Sequence, residues 1–146
     1  MGQERFRAPL AVFIILQKEG QIWMQRRANT GYRDGEYDLL SGHVEVGETM
    51  SAAAVREAKE EAGVDVLASD LVMKHIMYNN IDSAYINAFF SATKWSGEPS
   101  NAEPDKSDDA RWFPIAELPV PIVPHVGLAL KYIQENIFYS EEGWNK

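Results

Sequence analysis

Polar and apolar positions alternate in blocks along the chain, and each block predicts an element. Nine residues from Ala8 to Leu16 form an unbroken apolar run, the pattern of a strand buried on both faces. Lys18-Glu19-Gly20 supplies a turn and Gln21–Arg27 an antiparallel partner, so the chain opens on a hairpin. Asn29–Gly35 reads as a loop, Tyr37–Leu40 as a short extended piece and Ser41–Gly47 as a second loop. Thr49 is an N-cap for a helix over Met50–Ala62, rich in Ala, Glu, Lys and Arg, and Gly63 ends it. Strands are predicted over Val64–Tyr78 and Ala84–Lys94, with a turn at residues 79–82. Trp95–Asp109 is polar and holds Gly97, Pro99 and Pro104, so it is expected as a long loop. Arg111–Phe113 follows as a short strand. Pro124–Phe138 places Val126, Ala129, Leu130, Ile133 and Ile137 at helical spacing. No internal repeat or linker interrupts the order.

On the first helix the wheel separates two faces. Ala54, Val55, Ala58 and Ala62 share an arc of about 100°, and Glu57, Glu60 and Glu61 share another. Like charges at these spacings oppose helix formation by a few tenths of a kcal/mol per pair. A divalent cation would reverse that sign, because carboxylate oxygens are the hard ligands that Mg²⁺ and Mn²⁺ prefer. A solvated charged face, offset by Arg56 and Lys59, would have the same pattern.

Length adds one bound: 146 residues suit a single domain spanning 1–146. With 45% apolar and 25% charged residues the chain should fold in water around one core. No cysteine is present, which removes disulfides, thiolate metal sites and a Cys nucleophile and is compatible with a cytoplasmic setting. The net charge of −8 repels phosphate backbones, so neither a nucleic-acid polymer nor a membrane is an expected partner. An anionic small substrate would then need a metal to bridge it. The basic start followed by the apolar run imitates a signal peptide, but no small-residue cleavage site follows and secretion is not expected.

From Gly42 the sequence reads GHVEVGETMSAAAVREAKEEAGV, and this stretch resembles the Nudix hydrolase signature. Gly42, Glu48, Arg56, Glu57, Glu60, Glu61, Gly63 and Val64 all match, while Ala58 stands where the family usually has a larger aliphatic residue. The resemblance covers 23 of 146 residues. It implies an α+β fold, an α/β/α sandwich around a mixed sheet. It also implies Mg²⁺-dependent hydrolysis, with Mn²⁺ as a substitute, of a nucleoside diphosphate linked to another group. A nucleoside triphosphate cut to monophosphate and pyrophosphate, as in MutT-like enzymes, is the leading substrate; a nucleotide sugar, nucleotide alcohol or dinucleotide is the alternative. Glu57, Glu60 and Glu61, with the backbone at Gly42, are implied as metal-binding, and Glu60, Glu103 and Arg56 as the catalytic set. Arg56 is expected to orient Glu48 or a helix glutamate rather than touch substrate.

The segment Trp95-Ser-Gly-Glu98-Pro99, followed by Glu103, resembles a MutT-like loop that adds a carboxylate to the metal site or serves as general base. Glu103 is the first choice and Glu98 the second. Arg26 and Arg27 end a strand and point to opposite faces, and Arg27 is the candidate for substrate phosphate. His43 is expected in a structural hydrogen bond; His75 and His125 have no evident partner. Trp23, Trp95, Trp112 and Tyr32 belong to the core or stack on a base. A catalytically silent nucleotide-binding module would have no need of mutually repelling glutamates, an isopentenyl-diphosphate-isomerase-like chemistry would look for a cysteine, and an mRNA-decapping role fits poorly with the charge. A monomer or homodimer is expected.

Overall fold

In the computed structural model, residues 2–145 are described. The strands are β1 (Leu10–Lys18), β2 (Gln21–Arg27), β3 (Tyr37–Asp38), β4 (Leu40–His43), β5 (Val72–Asn79), β6 (Tyr85–Ala92), β7 (Ser107–Pro114) and β8 (Tyr139–Glu142). The helices are α1 (Met50–Ala62) and α2 (Pro124–Gln134). The sheet runs β3-β2-β1-β6-β5-β8, with β4 also on β1 and β7 also on β2. Parallel pairs (β1 with β6, β5 with β8) mix with antiparallel ones, so the expected mixed sheet between two helices is what the chain forms.

β1 explains its own uninterrupted apolar run. Val12, Ile14 and Leu16 pack with Ala54, Ala58 and Ala62 of α1, whereas Ala11, Phe13 and Ile15 pack with Val126, Ala129 and Leu130 of α2. A strand covered on both faces has no polar side to show. Ala53, Ala54, Ala58 and Ala62 are all fully enclosed. The short side chain at Ala58 thus lies within the α1 interface rather than weakening it.

One edge of β1 is taken by β6. The other is shared: β2 pairs only through Gln17↔Ile22 and Lys18↔Gln21, while β4 occupies Ala11–Ile14. The hairpin therefore splays almost at once. β2 departs to pair with β3 and β7, and a cleft opens between that leaf and β4.

Several boundaries differ from the sequence expectation, each for a tertiary reason. Ser41, Gly42 and His43 are strand rather than loop, because β1 supplies their partners. The stretch from Val64 is broken: Val64 and Val66 pack under α1, Asp65 makes an isolated bridge to Ser96, Ala68–Asp70 forms a 3-10 turn, and β5 begins at Val72. Ser107–Asp109 extend β7 back into the predicted loop by pairing with β2. α2 ends at Gln134, four residues early, where Asn136 adopts φ 60°, a left-handed conformation Asn tolerates. The chain released there forms β8, which was not predicted. Buried His75 holds its approach, its Nδ1 2.8 Å from the Ile137 carbonyl and its Nε2 2.8 Å from Ser140 Oγ. Among the described residues no helix is long and apolar enough to cross a membrane.

Candidate active site

α1 begins as the sequence predicts, with Thr49 Oγ1 accepting from Ala52 N at 3.1 Å, and ends at Gly63 with φ 70°. Its alanine face is fixed on the sheet, which turns Glu57 and Glu61 toward β4. Glu57 is only 9% exposed. It fits because Gly42 lies opposite: a Cβ there would fall inside the Glu57 carboxylate. Glu61 Oε1 accepts from the backbone N–H of Ser41 at 2.8 Å. Glu60 is exposed beside them.

Arg56 is the hub of this end. Its guanidinium donates to both oxygens of Glu48 (2.8 and 3.0 Å), to the His43 carbonyl (3.0 Å) and to Glu57 Oε1 (2.6 Å), and lies 3.5 Å from Glu60. Charge-assisted bidentate pairs of this kind fix geometry as well as supply energy. The Glu48 carboxyl is accordingly held down to about 2, chiefly by its hydrogen bonds from Arg56. Burial outweighs Arg56 at Glu57, whose carboxyl is pushed up. Glu61 is pushed well above its ordinary value, first by burial and then by repulsion from Glu57, Asp38 and Glu103, although part of its surface reaches the cavity. Glu57, Glu60 and Glu61 crowd one another, Arg56 reaches Glu57 and Glu60 but not Glu61, and the three present hard oxygens short of positive charge, a donor set that fits a divalent cation. Among the described residues, however, no three of these carboxylates are already gathered as ligands. Glu57 is turned to Arg56 and Glu61 to Ser41.

The cleft widens into a cavity of about 840 Å³ lined by Glu57, Glu60, Glu61 and Glu103 at one end. The loop before β7 is tied to α1: Ser100 N donates to the Ala62 carbonyl (3.0 Å) and Ala102 N to the Glu61 carbonyl (3.1 Å), satisfying helix-end groups that have no partner within the helix. This anchoring brings Glu103 to the cavity. Glu98 is exposed and does not line it.

Arg27 lines the cavity, but three of its nitrogens are engaged, with Asp38 (2.9 Å), the Tyr32 carbonyl (2.7 Å) and Thr30 (3.2 Å). Arg26 turns the other way, to Asp108. Asp38 is buried and its carboxyl is pushed up to about 6 by that burial, against the pull of Arg27. His43 meets Tyr85 Oη at 3.2 Å. Trp23, Trp95 and Trp112 pack on the α1-side core away from the cavity, Trp23 edge-on to Trp112 at 5.5 Å between ring centroids and Trp95 stacked on Trp112 at 6.0 Å. Tyr32 does line it and hydrogen-bonds Asp82, which also holds Arg33 at 2.8 Å through both oxygens. The sequence reading missed Asp38, Asp82, Asn79, Asn87 and Lys106, each contributed by a different turn or strand with no motif linking them.

The family model of the NUDIX domain matches residues 6–132. NAD-capped RNA hydrolase NudC of Vibrio parahaemolyticus is 28% identical over 129 residues, 86% of this chain and 46% of that protein. The 8-oxo-dGTP diphosphatase of Escherichia coli K12 is 32% identical over 94 residues, 64% of this chain and 72% of that protein. The chain spans about half the length of the NudC relatives it matches. Among solved structures, a MutT NUDIX hydrolase from Burkholderia pseudomallei superposes with a TM-score of 0.78 at 22% identity, covering 86% of this chain and 98% of that one.

Proposed function

The chain belongs to the NUDIX family, whose named relatives are hydrolases, and from that premise we propose that it hydrolyses a nucleoside triphosphate to the monophosphate and pyrophosphate with Mg²⁺ bound. The observation that carries this reading is the placement of buried Glu57 and half-buried Glu61, mutually repelling and facing the same cavity as Glu60 and Glu103. Glu57, Glu60 and Glu61, with the backbone at Gly42, would hold the metal. A divalent ion bound there supplies a Lewis acid and neutralises charge on the phosphates.

The chain's own residues do the rest. Arg56 holds Glu48 and Glu57 in place from behind and makes no approach to substrate. Glu103 accepts, at a carboxylate oxygen, the proton of the water that attacks phosphorus; the P–O–P bond breaks and pyrophosphate departs. Arg27, held by Asp38, the Tyr32 carbonyl and Thr30, offers the remaining N–H groups of its guanidinium to a phosphate.

A dinucleotide is the second reading, favoured by the NudC relatives; the charge of −8 weighs against a long RNA body. The test is incubation with nucleoside triphosphates, NAD and a nucleotide sugar, each with Mg²⁺, measuring phosphate and pyrophosphate separately. The expected result is pyrophosphate from triphosphates, abolished by excess chelator. Cleavage of NAD without pyrophosphate from triphosphates would move the assignment to dinucleotides. Full turnover in chelator would overturn the metal site.

A further inference from the structure

Away from the carboxylates, the cavity wall contains two asparagines whose amide orientations are fixed by the backbone. The N–H of Ile81 can only donate, and it donates to Asn79 Oδ1 at 2.9 Å. The other half of that amide is therefore NH₂, and it donates to Asn87 Oδ1 at 2.8 Å. Asn87 is 2% exposed and lines the cavity, and its own NH₂ finds no protein acceptor among the described residues. That NH₂ is free to donate to a ligand or a water in the cavity.

Sheet register says which part of a nucleotide would reach it. Asn87 on β6 pairs with Ala11 on β1, which pairs with His43 on β4, so three residues lie in a row across neighbouring strands. Two strand spacings put Asn87 about 10 Å from β4. β4 carries Gly42 against Glu57. Gly42 pairs with Val12 on the α1 face and Asn87 with Ala11 on the α2 face, yet both line the one cavity, so a nucleotide with its phosphates at the carboxylates has its sugar and base to place toward Asn87, and Phe13, Tyr85 and Tyr32 line the same cavity. A planar base suits such walls better than a charged group does.

We propose that Asn87, held in one orientation by Asn79, is a specificity-determining donor that selects nucleotides whose base presents a keto oxygen over those presenting an amino group at the same position. Asn87 contacts the base; Asn79 is a positioning residue. The inference rests on the nucleotide-hydrolase reading above and adds which bases the site accepts.

Two substitutions test it by reversing the polarity of the pair. Asn87→Asp still accepts from Asn79 but turns an oxygen to the cavity in place of NH₂. Asn79→Asp accepts from Ile81 yet has nothing to donate, so Asn87 turns its NH₂ back toward it and shows Oδ1 to the cavity. kcat/KM is measured for GTP against ATP and for UTP against CTP, with melting curves to verify folding. Wild type is expected to favour GTP and UTP, and either variant to cut both ratios by about tenfold or more. Asn79→Asp does so with Asn87 still in place, which a purely structural role would not produce. If that variant fails to fold, Asn87→Asp decides alone. Ratios unchanged in Asn87→Asp, or no keto preference in wild type, overturn the proposal. Calorimetric binding of GMP and AMP separates it from hydrolysis: a GMP preference that depends on Asn87 sustains it even if no nucleotide is cleaved, and absence of both binding and turnover sinks both readings.

Discussion

Gly42 shows how much one missing side chain can decide. Its backbone is ordinary strand, so no special dihedral calls for glycine; what calls for it is the Glu57 carboxylate in the space a Cβ would fill. Gly42→Ala should therefore fold normally, since the obstacle is the movable end of a side chain, while Glu57 is forced away from β4 and from its bond with Arg56. Turnover is expected to fall by about 10², the scale of losing one placed electrostatic group, with the melting temperature nearly unchanged. Steady-state kinetics beside a thermal melt check this. Wild-type turnover in the variant would mean that the position of Glu57 does not matter.

At the scale of elements, α1 and the loop before β7 act together. The loop bonds the last carbonyls of the helix and so places Glu103 by the same contacts that finish α1. Glu98, two residues before the first of those anchors, stays outside. Glu103→Gln is expected to lower kcat by about 10²–10⁴ with KM little changed, as for loss of a general base. Glu98→Gln should leave both constants alone. Loss in the second variant rather than the first would transfer the role to Glu98. The helix itself was legible to the residue, from Thr49 to Gly63, because its signals are local: a cap, an alanine face and a stop. β4 was not. A four-residue strand containing Gly42 and His43 exists only because β1 offers it an edge.

On the scale of the whole molecule, His125 couples α2 to the cavity and to pH. It lies edge-on to Phe13, is 7% exposed, and its Nδ1 has no partner. Burial pulls its pKa down to about 4, against about 6.5 in an unfolded chain. Between those values the unfolded state binds more protons, so stability falls as pH drops through the window and rises with pH across it. By pH 4.5 this group alone should cost about 2 kcal/mol relative to pH 7. The raised carboxyls of Glu57 and Glu61 act in the opposite sense, so the comparison must be differential. His125→Gln removes the histidine contribution, and the variant should lose less stability than wild type between pH 7 and 4.5 in denaturant titrations. Equal losses would show that His125 does not titrate in this way.

The sequence by itself determined the features that nearest neighbours along the chain can encode. These are the two-sided burial of β1, the α1 helix with its caps, the grouping of Glu57, Glu60 and Glu61 on one helical face, and, through the motif from Gly42, the family. Tertiary structure alone decided what depends on contacts between distant segments. The splay of β1 from β2 opens the cleft, because one strand edge cannot keep two partners over the same residues. The position of Glu103 at the cavity, with Glu98 outside it, comes from loop anchoring at α1. The binding of Arg27 to Asp38 joins β2 to β3. The fixed amide of Asn87 depends on a backbone N–H six residues earlier in the chain, at Ile81, and on the antiparallel pairing of β5 with β6. Periodicity can tell which face a residue occupies; only the packed sheet sets what stands opposite.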